Sequence, residues 1–94
     1  MREVRELQWQ AALAKALAAA GKTREEALCA PKSAVWKLAL ATWMKVHTQA
    51  PNGWLGRQLN LGEATSLSSN LTRYRRQHQA TDEVWKALNQ IFVA

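Results

Sequence analysis

Apolar residues recur at helical spacing along nearly the whole chain. Val4, Leu7, Ala11, Ala14 and Ala18 fall three or four positions apart, and Trp9, Leu13, Leu17 and Ala20 form a second stripe beside them. Residues 3–20 contain no Pro or Gly, and Gly21 is a natural stop because it takes a left-handed cap conformation without strain. Two stripes widen the apolar face, so this first helix is expected to meet more than one neighbour or a partner chain. Thr23-Arg-Glu-Glu26 has the form of a capping box and opens a short helix that Pro31 should end. Ser33 is placed to cap a third helix reaching about Thr48. In it Val35, Leu38, Ala39, Thr42 and Val46 share one side, with Trp36, Leu40, Trp43 and His47 beside them. After the turn signal Pro51-Asn52-Gly53, the pattern predicts a short helix over about 53–60 and a longer one over about 63–77. Thr81 is the expected cap of a last helix, Asp82 and Glu83 suit its positive end, and Val84, Trp85, Leu88, Ile91 and Phe92 are its apolar positions. No useful stretch alternates with the period of a strand, and no repeat or long linker interrupts the chain. The pattern predicts one all-α domain over residues 1–94, a compact bundle of five to six helices.

The fourth and fifth predicted helices carry more chemistry than the rest. Leu55 and Leu59 are four apart with Gly56 between them, which suits a close helix crossing. Leu61 is the apolar residue of the turn, and Gly62 permits an unusual backbone angle. Leu67, Leu71 and Tyr74 then fall on one face. At about 100° per residue, Thr65, Ser69, Thr72, Arg73 and Arg76 lie opposite, flanked by Ser66 and Asn70. This is the arrangement of a helix-turn-helix, at about 53–77, whose second helix enters a DNA groove. Asn pairs bidentately with adenine and Arg with guanine, so the polar face suits double-stranded DNA. Leu61 and Leu67 are six positions apart, one more than in the commonest pattern. The turn is therefore longer, or the second helix begins differently. The same pattern also describes an αα-hairpin whose polar face only meets water.

Charge sharpens this picture. The formal charge is +6 over 94 residues. Residues 1–26 carry five basic and four acidic groups, and residues 82–94 carry Lys86 against Asp82 and Glu83. The excess lies in residues 27–81, where Lys32, Lys37, Lys45, Arg57, Arg73, Arg75 and Arg76 face Glu63 alone. Such a segment attracts polyanions in a salt-dependent way, although a solvated face kept positive for solubility has the same charge map. On this basis Thr65, Ser69, Asn70 and Arg73 are expected near base edges, with Ser66 and Thr72 among the further DNA-binding residues. Arg57, Arg75, Arg76 and Lys45 are expected on phosphates, with Lys37 extending the surface.

Composition sets the remaining bounds. Apolar residues make up 48% of the chain and five residues are Trp, which suits a folded domain. Trp9, Trp36, Trp43 and Trp85 fall on or beside apolar stripes and are expected in the core. Trp54 is expected to pin the preceding turn to the third helix or to touch a DNA backbone. Cys29 is the only cysteine, so no internal disulfide forms, and it reads as a half-buried small hydrophobe in a reducing compartment. No apolar run approaches the roughly 20 residues of a membrane span, and the mixed-charge start lacks the apolar stretch of a signal peptide. The expectation is a cytoplasmic, nucleoid-associated protein of bacterial type with no membrane partner.

Cys29, His47 and His78 match no zinc spacing and lack a fourth ligand. A Cys–His nucleophile pair has no oxyanion loop beside it, and no Gly-rich phosphate loop is present. No metal, cofactor or catalytic activity is expected. His47 reads as a partly buried hydrogen-bonding residue and His78 as a further phosphate contact. From another class, the alternative is a helical protein-interaction or oligomerisation module. A homodimer through the N-terminal helix fits either function, and packing of the terminal helices on each other competes with it. Single-stranded DNA or RNA is a third candidate partner.

The segments Pro31-Lys-Ser-Ala-Val-Trp-Lys-Leu-Ala-Leu-Ala-Thr-Trp-Met-Lys-Val-His-Thr, Pro51-Asn-Gly-Trp-Leu-Gly-Arg-Gln-Leu-Asn-Leu-Gly and Leu67-Ser-Ser-Asn-Leu together resemble a known bacterial tail. It is the C-terminal helix-turn-helix region of REP-associated tyrosine transposase-like proteins. The resemblance covers about residues 31–76 and includes the longer turn. That family's catalysis needs a His-x-His metal pair and a nucleophilic tyrosine. Here His47 and His78 are far apart, and Tyr74, the sole tyrosine, is on the expected packed face. The resemblance therefore implies a DNA-binding tail without the nuclease, either part of a larger transposase or a free-standing relative.

Overall fold

The computed structural model of the chain describes residues 2–31 and 34–90. Its helices, in order, are α1 (Arg2–Ala20), α2 (Arg24–Cys29), α3 (Val35–His47), α4 (Asn52–Leu59), α5 (Ala64–Gln77) and α6 (Glu83–Leu88). No strand occurs among the described residues. The protein is an all-α bundle.

Local chemistry sets the helix ends. Gly21, at φ 71°, closes α1. Its N–H donates to the Ala18 carbonyl at 3.1 Å and that of Lys22 to Leu17 at 2.9 Å, the paired bonds of a Schellman cap. Thr23 caps α2, its hydroxyl oxygen accepting from the Glu26 N–H at 3.1 Å. The Glu26 carboxylate lies 3.9 Å from Lys22 Nζ. Ala34 is the N-cap of α3, while the expected cap, Ser33, lies outside the described residues. At α6 the structure corrects the expected cap from Thr81 to Asp82, whose Oδ1 accepts from the Val84 N–H at 3.0 Å. Asp82 wins because its other oxygen is already fixed, accepting from the Tyr74 hydroxyl at 2.6 Å. Ile91 and Phe92 lie outside the described residues.

The central element is α3, which packs on α1, α5 and α6, while α1 and α6 also pack on each other. Every residue from Lys37 to Met44 is buried, so the middle of α3 has no solvent side. Only its ends reach water, at Val35 and Val46. His47, expected partly buried, is exposed there, with its ring 4.7 Å from that of Trp43. In α1 a single stripe serves the core: Leu13 and Leu17 are buried, with Trp9 and Ala20 packed at the margin. Leu7 is 69% exposed, and Ala11, Ala14 and Ala18 also face solvent. The Val4 side chain lies outside the described residues. Trp43 is buried, and Trp36 and Trp85 are half-buried against the core. Cys29 is exposed rather than half-buried, because it is the last residue of the six-residue α2, which buries only Ala27. No helix among the described residues is long and apolar enough to cross a membrane.

Candidate nucleic-acid interface

α4 packs on α5, and α2 backs α4. The connection from Asn60 to Glu63 contains two left-handed residues, Asn60 at φ 52° and Gly62 at φ 85°. Both the Asn60 and the Leu61 N–H donate to the Gly56 carbonyl, the latter at 2.9 Å. This folds the chain back so that Leu61 enters the core. A Cβ on Gly56 would lie 2.7 Å from the Gly62 carbonyl oxygen. The small residue of α4 is therefore required by the turn's own backbone. The longer spacing from Leu61 to Leu67 is absorbed in the turn, where Asn is one of the few side chains that tolerates the left-handed region.

A polar brace holds this turn from behind. Lys37 is 0% exposed, and its ammonium donates to the Ala30 carbonyl at 2.8 Å and to the Asn60 carbonyl at 3.3 Å. Burial lowers its pKa from the ordinary value, and the nearby Cys29 opposes that shift. Asn60 Nδ2 donates in turn to the Leu28 carbonyl at 3.1 Å. Arg24 reaches from α2 to Gln58 Oε1 on α4 at 2.9 Å and to Gln10 Oε1 on α1. The expectation that Lys37 extends a binding surface is thus corrected: its charge is turned inward against two backbone carbonyls. The sequence assigned no role to Asn60 or Arg24, and it placed Lys37 on the wrong side of the helix. The available signal was a lysine inside the apolar run Val35–Met44, where its stem is buried with its neighbours.

The two faces of α5 divide as the spacing predicted. Leu67, Leu71 and Tyr74 are buried. Burial and the hydrogen bond to Asp82 push the Tyr74 hydroxyl pKa well above its usual range. On the other side Thr65, Ser66, Ser69, Thr72, Arg73, Arg75 and Arg76 are all exposed. Ser69, Thr72, Arg73, Arg76 and Gln77 border one open polar depression. The Thr72 hydroxyl donates to the Ser68 carbonyl at 3.1 Å, leaving its oxygen free to accept. Asn70 is half-buried, at a groove it shares with Val35, Leu38 and Arg73. Among the described residues no ion pair engages Arg73, Arg75 or Arg76.

Other expected site residues lie apart from this face. Arg75 follows Tyr74 and falls about 100° around the helix from Arg76, and it does not border the depression. Lys45, half-buried, is in the last turn of α3. That is roughly 10 Å along the helix from Leu38, which meets α5. Arg57 is exposed but borders a cleft with α1. Trp54 pins α4 to α1 rather than to α3: its ring stands edge to face against Trp9 with centroids 5.4 Å apart, and its N–H donates to Glu6 Oε1 at 3.2 Å. His78 is exposed at the end of α5. No group of three metal-ligating side chains occurs among the described residues.

Comparison of the chain with protein-family models, with curated proteins and with solved structures returns no match.

Proposed function

We propose that the chain is a double-stranded-DNA-binding domain in which α4, the turn and α5 act as a helix-turn-helix. One observation carries the reading: Thr65, Ser69, Thr72, Arg73 and Arg76 form an exposed polar row, without ion pairs among the described residues, on a helix whose opposite side is fixed by Leu67, Leu71 and Tyr74. Arg73 and the polar groups beside it approach base edges, with Ser66 and Asn70 at one border. Each bidentate base contact is worth about 1–3 kcal/mol of discrimination. Arg76 and Arg75, with Lys45 from the neighbouring α3, supply phosphate contacts and most of the affinity, while Arg57 borders the α1 cleft instead. The resemblance of residues 31–76 to a transposase tail, read from the sequence alone, points the same way, and a DNA-bound domain would sit with the nucleoid. Selection of bound duplexes from a random pool, with an Arg73/Arg75/Arg76 triple Ala variant as control, tests it. Enrichment of no motif, or equal enrichment by the variant, would overturn it.

The exposed row Leu7, Ala11, Ala14 and Ala18 favours a second reading, self-association through α1. It stands alone as an oligomerisation role or joins the first, since a two-fold dimer reads a two-fold site. Sedimentation at increasing concentration tests it. An Ala14→Glu substitution should abolish any dimer, and a monomer at every concentration rules the reading out.

A further inference from the structure

Between α1 and α4 the surface opens into a cleft of about 450 Å3, within the roughly 300–1,000 Å3 usual for small-molecule sites. Its walls are largely apolar, formed by the Trp9 and Trp54 indoles and Pro51, with Arg5 and Arg57 beside them. Trp54 is almost fully buried and its N–H is engaged by Glu6, which turns that carboxylate toward the wall. Trp9 is only half-buried and borders the opening. Arg57 Nη1 lies 3.8 Å from where a Cβ on Gly53 would stand, so the guanidinium folds back over the start of α4. Among the described residues neither guanidinium forms an ion pair. With Glu6 counted, the lining keeps a net positive charge.

We propose that this cleft binds a small planar aromatic anion, with its ring against Trp9 and its acidic group on Arg57 and Arg5. Indole walls favour a flat π-surface, on which an aromatic ring stacks or packs edge to face. Guanidinium donors match phosphate or carboxylate oxygens in a fork geometry. A neutral ring leaves those donors unused, and inorganic phosphate leaves the indoles bare. Nucleoside monophosphates and aromatic carboxylates share the required chemistry. The site is separate from the polar face of α5 and stands whether or not that face binds DNA.

The test follows indole N–H resonances of the full chain during separate titrations with adenosine monophosphate, benzoate, adenosine and inorganic phosphate. At least one aromatic anion is expected to shift the Trp9 and Trp54 signals saturably, with a Kd below about 1 mM, while the buried Trp43 signal stays in place. The anion that saturates identifies the source. Arg57→Gln should weaken binding about tenfold with an unchanged melting temperature, and the triple Ala variant of α5 should bind as the parent does. Failure of both anions to saturate overturns the proposal. So does equal binding of adenosine or phosphate, or insensitivity to Arg57→Gln.

Discussion

The carbonyl oxygen of Gly62 stands 2.7 Å from the point where a Cβ on Gly56 would be. The obstacle is backbone and cannot swing aside. Gly56→Ala should cost about 2 kcal/mol, as overpacking typically does, and lower the melting temperature by roughly 10 °C. At Gly53 the nearest group is the far end of Arg57, at 3.8 Å. Gly53→Ala should therefore be neutral or slightly stabilising, because Ala is the better helix former. Thermal denaturation of the two variants checks the contrast, and equal melting temperatures would contradict it.

Lys37→Met keeps an apolar stem of similar length and deletes both bonds from the ammonium to the Ala30 and Asn60 carbonyls. The loss should be local to the α4–α5 turn. Amide exchange at Asn60 and Leu61 is expected to accelerate more than at Lys22, which occupies the matching position in the cap of α1. Uniform acceleration across these amides would show that Lys37 acts on global stability alone.

Tyr74 makes stability depend on alkaline pH. Its pKa in the folded state is raised above the ordinary 10.0 by burial and then by the bond to Asp82. The folded state therefore holds the phenolic proton longer than the unfolded chain. Its stabilising contribution is complete below pH 10 and is lost as pH rises from there toward the folded value. Tyr74→Phe should lower stability at neutral pH by about 1 kcal/mol and flatten the decline above pH 10. Lys37, with its lowered pKa, acts in the opposite sense just below 10.5, but both proteins share it. Denaturant midpoints measured across this range decide the matter.

If α5 holds DNA as proposed, single substitutions on it should separate into two kinds. Arg76→Ala should reduce the slope of log K against log salt by about 0.9, one phosphate contact. Ser69→Ala should leave that slope unchanged while altering preference among selected duplexes. Labelled-duplex titrations at several salt concentrations distinguish the two, and an unchanged slope for Arg76→Ala counts against the assigned phosphate contact.

Periodicity revealed what depends on strong local signals. Leu67, Leu71 and Tyr74 are large and regularly spaced, so the buried side of α5 followed directly. Thr23 marked a helix start through its side-chain hydroxyl, and Gly21 and Pro31 marked helix ends through their backbone preferences. Relations between distant segments stayed hidden. In α1, Ala occurs in both stripes and carries little burial preference, so only the heavier Trp9, Leu13 and Leu17 distinguish the core side. Trp54 was recognised as an anchor, but its partner, 45 positions earlier, is set by how α1 crosses the bundle. Lys37 looked like surface charge because residue type hides whether a long stem ends in water or against a carbonyl. For the site, exposure along α5 was legible, whereas the placing of Arg57 at a cleft with α1 required the helix arrangement.

The inward-facing amine of α3 also gives the fold a chemical clock. An acylating reagent should modify the exposed Lys15 and Lys86 at once. Lys37 has no path to reagent until its contacts with the ends of α2 and α4 open. Its rate of modification would thus time how often the fold exposes the back of its own turn.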